Sequence, residues 1–413
     1  MPLKIIICGG GIGGLSAAGY LRAQHDVTVI ERGTLDFTND DYGLSVVSNA
    51  FTLLQKAGIK SENLDMVVMT HLWVRDNEGK ELKTMHFDTR AKFGGAPSVL
   101  VKRAKLQQEL VRFATGTEFP GSPAEIIPNA KVARVDAQAG TVTTEDGREF
   151  RGDLIIGADG INSVVRSAIF EGQGTVRTHD LLALITRVPV AELKSDPDFA
   201  YLADDPTSQA GLCSFYTAAG SQSNKRIMTY HTSPRDLQVL GYTSEKEFAE
   251  RFDSLNAGII KDVPASRVVE DFAPDFAGPL VNLFKHDKID AWRVRDITPM
   301  DNWIRGKVVL IGDAAHAVTQ HAGQGCNITI EDAEALSYLL RDATPDSIPA
   351  ALDKFMSLRK DRVALVARRS RELGNLQSDE DKTKEPIKAD EFARAMYGYQ
   401  GAEHFLNIST HAS

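Results

Sequence analysis

Five glycines occupy six positions near the start of the chain, in IICGGGIGG (residues 6–14). Core packing has no use for so bare a backbone, whereas a ligand that must lie against the main chain does. The spacing Gly9-x-Gly11-x-x-Gly14 follows an apolar run and opens a helical pattern. In that setting the first glycine allows a tight strand-to-helix turn, the second lets a pyrophosphate approach, and the third lets helix and strand pack closely. The free N–H groups and positive dipole end of the helix attract phosphates. Glu31 follows about twenty residues on, where a carboxylate accepts ribose hydroxyls. A 2′-phosphate would meet like charge there, so NAD or FAD fits the pattern and NADP bound here does not.

Two further stretches carry chemistry. In DLIIGADGINSVVR (153–166) a buried strand runs into Asp159-Gly160 and then a helix capped by Asn162 or Ser163; an ordinary capped turn explains these residues as well as a binding role does. KVVLIGDAAHAVTQHAGQGCNITIEDAEAL (307–336) is more specific. Asp313 ends a buried strand, a small-residue segment follows, and Gly323-Gln324-Gly325 opens a long helix. A bare NAD site has no need of this second lobe. A flavin does, because its ribityl hydroxyls want an acid and its reduced ring is anionic at the N1–C2 edge, where a helix N-terminus is stabilising. His316 and His321 lie five apart, off a common helical face, and are not expected to form a metal site. Tyr230 and His231 fit a strand beside the site, where packing and function weigh equally.

The elements that must hold these residues follow from periodicity. Residues 3–8, 13–24 and 26–31 read as β-α-β with a parallel sheet. Residues 66–75 and 81–87 read as a hairpin about Asn77-Glu78-Gly79, 104–114 as an amphipathic helix, and 120–128 as a proline-punctuated loop. A three-stranded meander is expected over 130–156, antiparallel sheet over about 180–295, a buried strand at 307–312 and helices at 324–340 and 346–375. Residues 378–386 read as a solvated linker before a last short helix. The expected fold is therefore α/β: a Rossmann-like layer, residues 1–70, 98–178 and 296–345, interrupted by an antiparallel-sheet substrate domain, 71–97 and 179–295, with a helical region at 346–413.

Bulk properties exclude several partners. The 413 residues are 42% hydrophobic and 25% charged, with net charge −9 and no long basic run, which argues against nucleic acid and against an anionic membrane surface. No apolar run approaches the ~20 residues of a membrane span. No signal peptide is legible, and Cys8, Cys213 and Cys326 have no CxxC spacing, so a reducing, cytoplasmic setting is expected.

Taken together, CGGGIGG with Glu31, GADG with Arg166, and LIGDAAH…GQG resemble, over nearly the whole chain, the three fingerprints of the class A flavin monooxygenases, typified by p-hydroxybenzoate and salicylate hydroxylases. YGLSVVSNA (42–50), VKRAKL (101–106) and WRVRDITPMDNW (292–303) look closest to the salicylate-hydroxylase-like branch with fungal secondary-metabolism members. The resemblance implies bound FAD, NADPH or NADH as a transient co-substrate, O2, and hydroxylation or epoxidation of an aromatic or polyketide/alkaloid-type small molecule through a C4a-hydroperoxyflavin. It implies that Gly9, Gly11 and Gly14 carry the pyrophosphate loop, with Glu31 at the adenosine ribose. Arg103 would serve the phosphate-ribityl region and Asp313 the ribityl chain. Gly43 and Cys326 would offer backbone near the isoalloxazine, beside the Gly325 helix tip. Asp159 with Gly160 would serve the pyrophosphate and the passing NADPH, while Arg187 and Tyr216 would face the substrate. The family usually has proline where this chain has Ser48 and Gln320. A halogenase of the same fold would carry a WxWxIP segment, and none of the three tryptophans sits in one. A flavin-dependent reductase and a non-catalytic flavin-bound redox module remain as alternatives. A monomer or homodimer is expected.

Overall fold

The computed structural model describes residues 1–37, 42–86, 88–200, 212–217, 225–251, 258–286 and 288–411, with the side chains of 212–216, 249–251 and 408–411 outside the description. The apolar strand Lys4–Cys8 lies at the centre of a six-stranded sheet. Asp26–Ile30 and then Glu125–Ile127 extend it on one side. Leu154–Gly157 and Val308–Leu310 extend it on the other, all parallel, and Ile304–Arg305 closes that edge antiparallel. Leu154–Gly157 thus lies between two strands each about 150 residues from it in sequence. Ile5, Ile7, Cys8, Leu154, Ile155, Ile156 and Leu310 have no exposed surface, as befits a parallel sheet covered on both faces.

A second sheet of eight strands carries, in spatial order, Ile259–Val263, Ile289–Ile297, Val176–Pro189, Asp236–Thr243, Arg226–Ser233, Leu212–Thr217, His71–Asp76 and Glu81–His86. It is antiparallel as expected except where Leu212–Thr217 runs parallel to His71–Asp76. Its two faces differ. On Val176–Pro189 the even residues Leu182, Leu184 and Val188 join Ile227, Leu237 and Val239 against Phe272 and Phe284 of a helical cover. The odd residues Leu181 and Ala183 share the other face with Tyr230, Leu240, Tyr242 and Val294, against Val67 and Leu100 of the first layer. Those last two belong to a small sheet, Gly43–Val46, Val99–Lys102 and Val67–Val68, that bridges the layers.

The meander forms at Val132–Asp136, Thr141–Thr144 and Glu149–Arg151. Helices follow at Gly325–Leu340 and Ile348–Gly374, then Ala389–Tyr397 and Ala402–His411. Three local expectations change. The run 66–75 splits between two sheets, the proline-rich loop contains the edge strand Glu125–Ile127, and the linker contains one helical turn, Asp379–Lys382, capped by Ser378. The fold is α/β as expected, with its antiparallel layer inserted in sequence and its helices C-terminal.

Candidate active site

Four chain segments leave the carboxyl ends of parallel strands on the same edge of the first sheet: Gly9 after Cys8, Glu31 after Ile30, Asp159 after Gly157, and Gly312-Asp313 after Leu310. Such an edge is where open α/β sheets bind ligands. The three glycines differ physically. Gly9 has φ +111° and a Cβ there would lie 2.4 Å from the Ala158 carbonyl oxygen; one on Gly14 would lie 1.8 Å from the Gly9 oxygen. A Cβ on Gly11 meets nothing within 4 Å. The outer two are filled by protein and the middle one opens onto space.

Glu31 accepts from Gly10 N at 2.5 Å and from Gly33 N at 2.7 Å, which sets it beside the glycine turn and leaves lone pairs for a ligand. Asp159 is otherwise engaged. Its carboxylate accepts from Ser163 Oγ, Val164 N and Val165 N at 2.5–3.1 Å, so it caps the helix Val164–Ile169. The capping explanation of GADG therefore accounts for the Asp159 side chain, and a Cβ on Gly160 would meet nothing within 4 Å. Ser163, not Asn162, is the capping residue, accepting from Arg166 N. Arg166 is buried and donates to Ala314 O at 2.9 Å and Ile161 O at 2.5 Å, tying the second motif to the third.

Asp313 is reached by solvent and, among the described residues, has no hydrogen-bond or ion-pair partner. Protein nevertheless crowds it closely enough that desolvation pushes its carboxyl up, against the opposing pull of His316, Arg103 and Arg166. An acid exposed only to a cleft behaves this way. Cys326 lies in the same space: burial raises its thiol to about 12, with Arg103 opposing and Asp313 adding to the shift. Arg103 starts the helix Arg103–Thr115, and its guanidinium lies 5.4 Å from the centre of the Tyr42 ring, which in turn stands 5.2 Å from Trp292. The helix Gly325–Leu340 begins without a side-chain cap, so its first N–H groups remain available to a ligand.

The strand Gly43–Val46 is strapped over this space. Asn327 accepts from Val47 N and donates to Ser45 O and Gly323 O at 2.8–3.2 Å. Gly43 itself is spent on the roof: its N–H donates to Gln238 at 2.5 Å and its carbonyl accepts from Tyr230 at 3.0 Å. The carbonyl oxygen keeps a second lone pair. Tyr230 stands beside the site as its strand led one to expect; its partner Gln238 and Asn327 are what sequence reading missed, since a strand glutamine opposite a tyrosine carries no local signal.

Arg187 pairs in register with Gln238, on the odd face that looks toward the cofactor layer. Its charge, with Lys102 and Ser233, offsets the burial of Asp236 and holds that carboxyl low. The side chain of Tyr216 lies outside the described residues; its backbone pairs with Ile227. His316 donates from Nε2 to Asp332 at 2.6 Å, and among the described residues no group of three or more His, Cys, Asp or Glu is placed to hold a metal. Nor is any helix there long and apolar enough to cross a membrane.

A parallel sheet with a glycine turn and two acids at one edge, roofed by an inserted sheet, is the architecture of a dinucleotide-binding protein. Residues 3–370 match the family described as FAD binding domain, and the chain belongs to that family. It is 31% identical over 381 residues to hispidin-3-hydroxylase of Neonothopanus nambi, covering 90% of this chain and 88% of that one. It is 27% identical over 396 residues to salicylate hydroxylase of Pseudomonas putida, covering 91% and 86%. Among solved structures, CtdE in complex with FAD and a substrate matches with TM-score 0.77 at 19% identity over 99% of both chains, a likeness of fold. The chain is an FAD-dependent monooxygenase, as its motifs led one to expect. The cleft fits that cofactor: Gly11 is open where a pyrophosphate must approach, and Asp313 is an acid with no hydrogen-bond or ion-pair partner among the described residues where a polyol needs one.

Proposed function

We propose that the protein uses NADPH or NADH to hydroxylate a phenolic aromatic ring, of polyketide or related origin, that binds between the two sheets. FAD, when bound, supplies the redox chemistry that activates O2. Gly9, Gly11 and Gly14 would line the pyrophosphate, with the Gly160 backbone nearby. Glu31 would accept from the adenosine ribose and Asp313 from the ribityl hydroxyls. Arg103 would neutralise the phosphate-ribityl region. The N–H groups at Gly325 and Cys326 would hold negative charge at the reduced ring. Asn327, Tyr230 and Gln238 would keep the strand Gly43–Val46 over the site.

The observation that carries this reading is the pairing of the cleft acid Asp313 with an apolar roof. That roof presents Ala183, Leu240, Tyr230 and Tyr242, with Met228, Ile185 and Trp292 against it. Such a surface excludes water and suits a flat ring. Arg187, at one end of it, would pair with a phenolate or carboxylate and so orient the ring. Tyr216 would stand beside the substrate as the resemblance implies. The hydroxylase relatives named for hispidin and salicylate support a phenolic substrate. We read the cofactor layer as 1–70, 98–178 and 296–345, and the protein as a cytoplasmic monomer or homodimer of secondary metabolism, its size testable by light scattering.

The test is to follow NADPH and NADH oxidation, with peroxide release, against phenols, aromatic acids, indoles and polyketides. A substrate that accelerates oxidation and gains one oxygen is the expected result. Bound flavin with no acceleration by any phenol would defeat the substrate assignment. Anaerobic turnover to a hydrogenated product would point to a reductase.

A further inference from the structure

Beneath the Asp313 turn lies a buried ionic network that the chemistry above does not use. Asp332 Oδ2 accepts from Gly312 N at 3.0 Å and from His316 Nε2 at 2.6 Å, and its Oδ1 accepts from Arg359 Nε at 2.8 Å. Arg359 also donates to Glu331 at 2.6 Å and to Ile328 O at 2.9 Å. Arg362 donates to Glu331 at 2.8 Å and to Ala395 O at 2.5 Å, and Asn49 donates to Glu331 at 2.6 Å. Glu331, Asp332 and Arg359 have no exposed surface.

The geometry at the turn is specific. Gly312 and His316 bracket the single helical turn Asp313–His316, so one carboxylate oxygen staples both of its ends to the helix Gly325–Leu340. Of the five residues from 312 to 316, only Asp313 is exposed. Gly312 needs its φ of +56°, and a Cβ there would also strike Thr329 at 2.8 Å on the same helix. With two guanidinium groups against two carboxylates, the network holds its charges in balance. A buried ion cluster gains little stability over apolar packing of the same volume, so its value lies in fixing one arrangement.

We propose that Asp332 and His316 are positioning residues for the cofactor: together they lock the Gly312–Asp313 turn so that the Asp313 carboxylate alone projects into the cleft. This rests on the reading of Asp313 as the ribityl partner. Arg359 and Glu331 extend the lock to Arg362 and the C-terminal segment, so the last helices are coupled to cofactor grip without touching it.

The test is a double-mutant cycle on full-length protein stripped of FAD and titrated with it, reading flavin fluorescence quenching and the visible spectrum of the bound flavin. His316→Phe keeps a ring against Trp303, 5.1 Å away, and removes the donor. It is expected to weaken FAD binding about tenfold. In the Asp313→Ala background the same change is expected to add less than about twofold, because its effect runs through that carboxylate. Additive losses, or unchanged FAD affinity in folded His316→Phe, overturn the proposal. If His316→Phe does not fold, His316→Leu, which also removes the donor to Asp332 Oδ2, goes through the same cycle with the same criteria. Undiminished affinity in Asp313→Ala alone overturns the underlying ribityl assignment instead, and the proposal with it.

Discussion

Glycine is used in three different ways within six residues of this chain, and that difference can be measured. Gly14→Ala would drive a Cβ to 1.8 Å from the Gly9 oxygen, so a loss of about 3 kcal/mol or more in unfolding free energy is expected from urea titration of the apoprotein. Gly11→Ala meets no protein atom, so the apoprotein should stay within about 1 kcal/mol of wild type while its FAD affinity falls at least about tenfold. Equal behaviour of the two variants would contradict the assignment of Gly11 to the ligand. Arg187→Ala is expected to retain its yellow colour yet lose product formation about 100-fold, since the arginine lies on the face of the second sheet that looks toward the cofactor layer. Full turnover in that variant would remove it from the mechanism. Glu31 and Asp313 were readable without a structure because each ends an apolar strand at a fixed distance from glycines. Asp332 was invisible: it serves the turn through a bond twenty residues away in sequence, and nothing in its own helix marks it.

At the scale of elements, strands with strong apolar runs and helices with clear glycine punctuation were legible, and short bridging strands were not. Gly43–Val46 and Val99–Lys102 have four residues each and take their identity from each other and from Tyr230, not from local pattern. The parallel pairing of Leu212–Thr217 with His71–Asp76 joins segments some 140 residues apart, which no window of sequence can encode. The contact between Gly325–Leu340 and the C-terminal helix has a titratable centre. Glu334 accepts from Ala402 N at 3.0 Å, and burial, partly offset by that bond, pushes its carboxyl up to about 7. A folded value above the unfolded one means that the contribution to stability is complete below the unfolded value and is lost as pH rises toward the folded one. Between pH 5 and 7.5 the melting temperature of wild type should therefore fall more steeply than that of Glu334→Gln. Parallel curves would show that this carboxyl does not titrate there.

The whole molecule is assembled out of sequence order. Its central strand, Lys4–Cys8, is made well before the strand Leu154–Gly157 that pairs with it, which arrives 146 residues later, and before Val308–Leu310, some 150 residues later again. Between Lys4–Cys8 and Val308–Leu310 the ribosome must deliver the described strands of the second sheet. The glycine turn therefore waits for the Asp313 edge of its own sheet to be made. Flavin loading, on the reading proposed above, waits with it. A growing chain of this kind carries exposed apolar strand edges for most of its synthesis, so its yield in a foreign host will depend on chaperone capacity and slow translation more than on flavin supply.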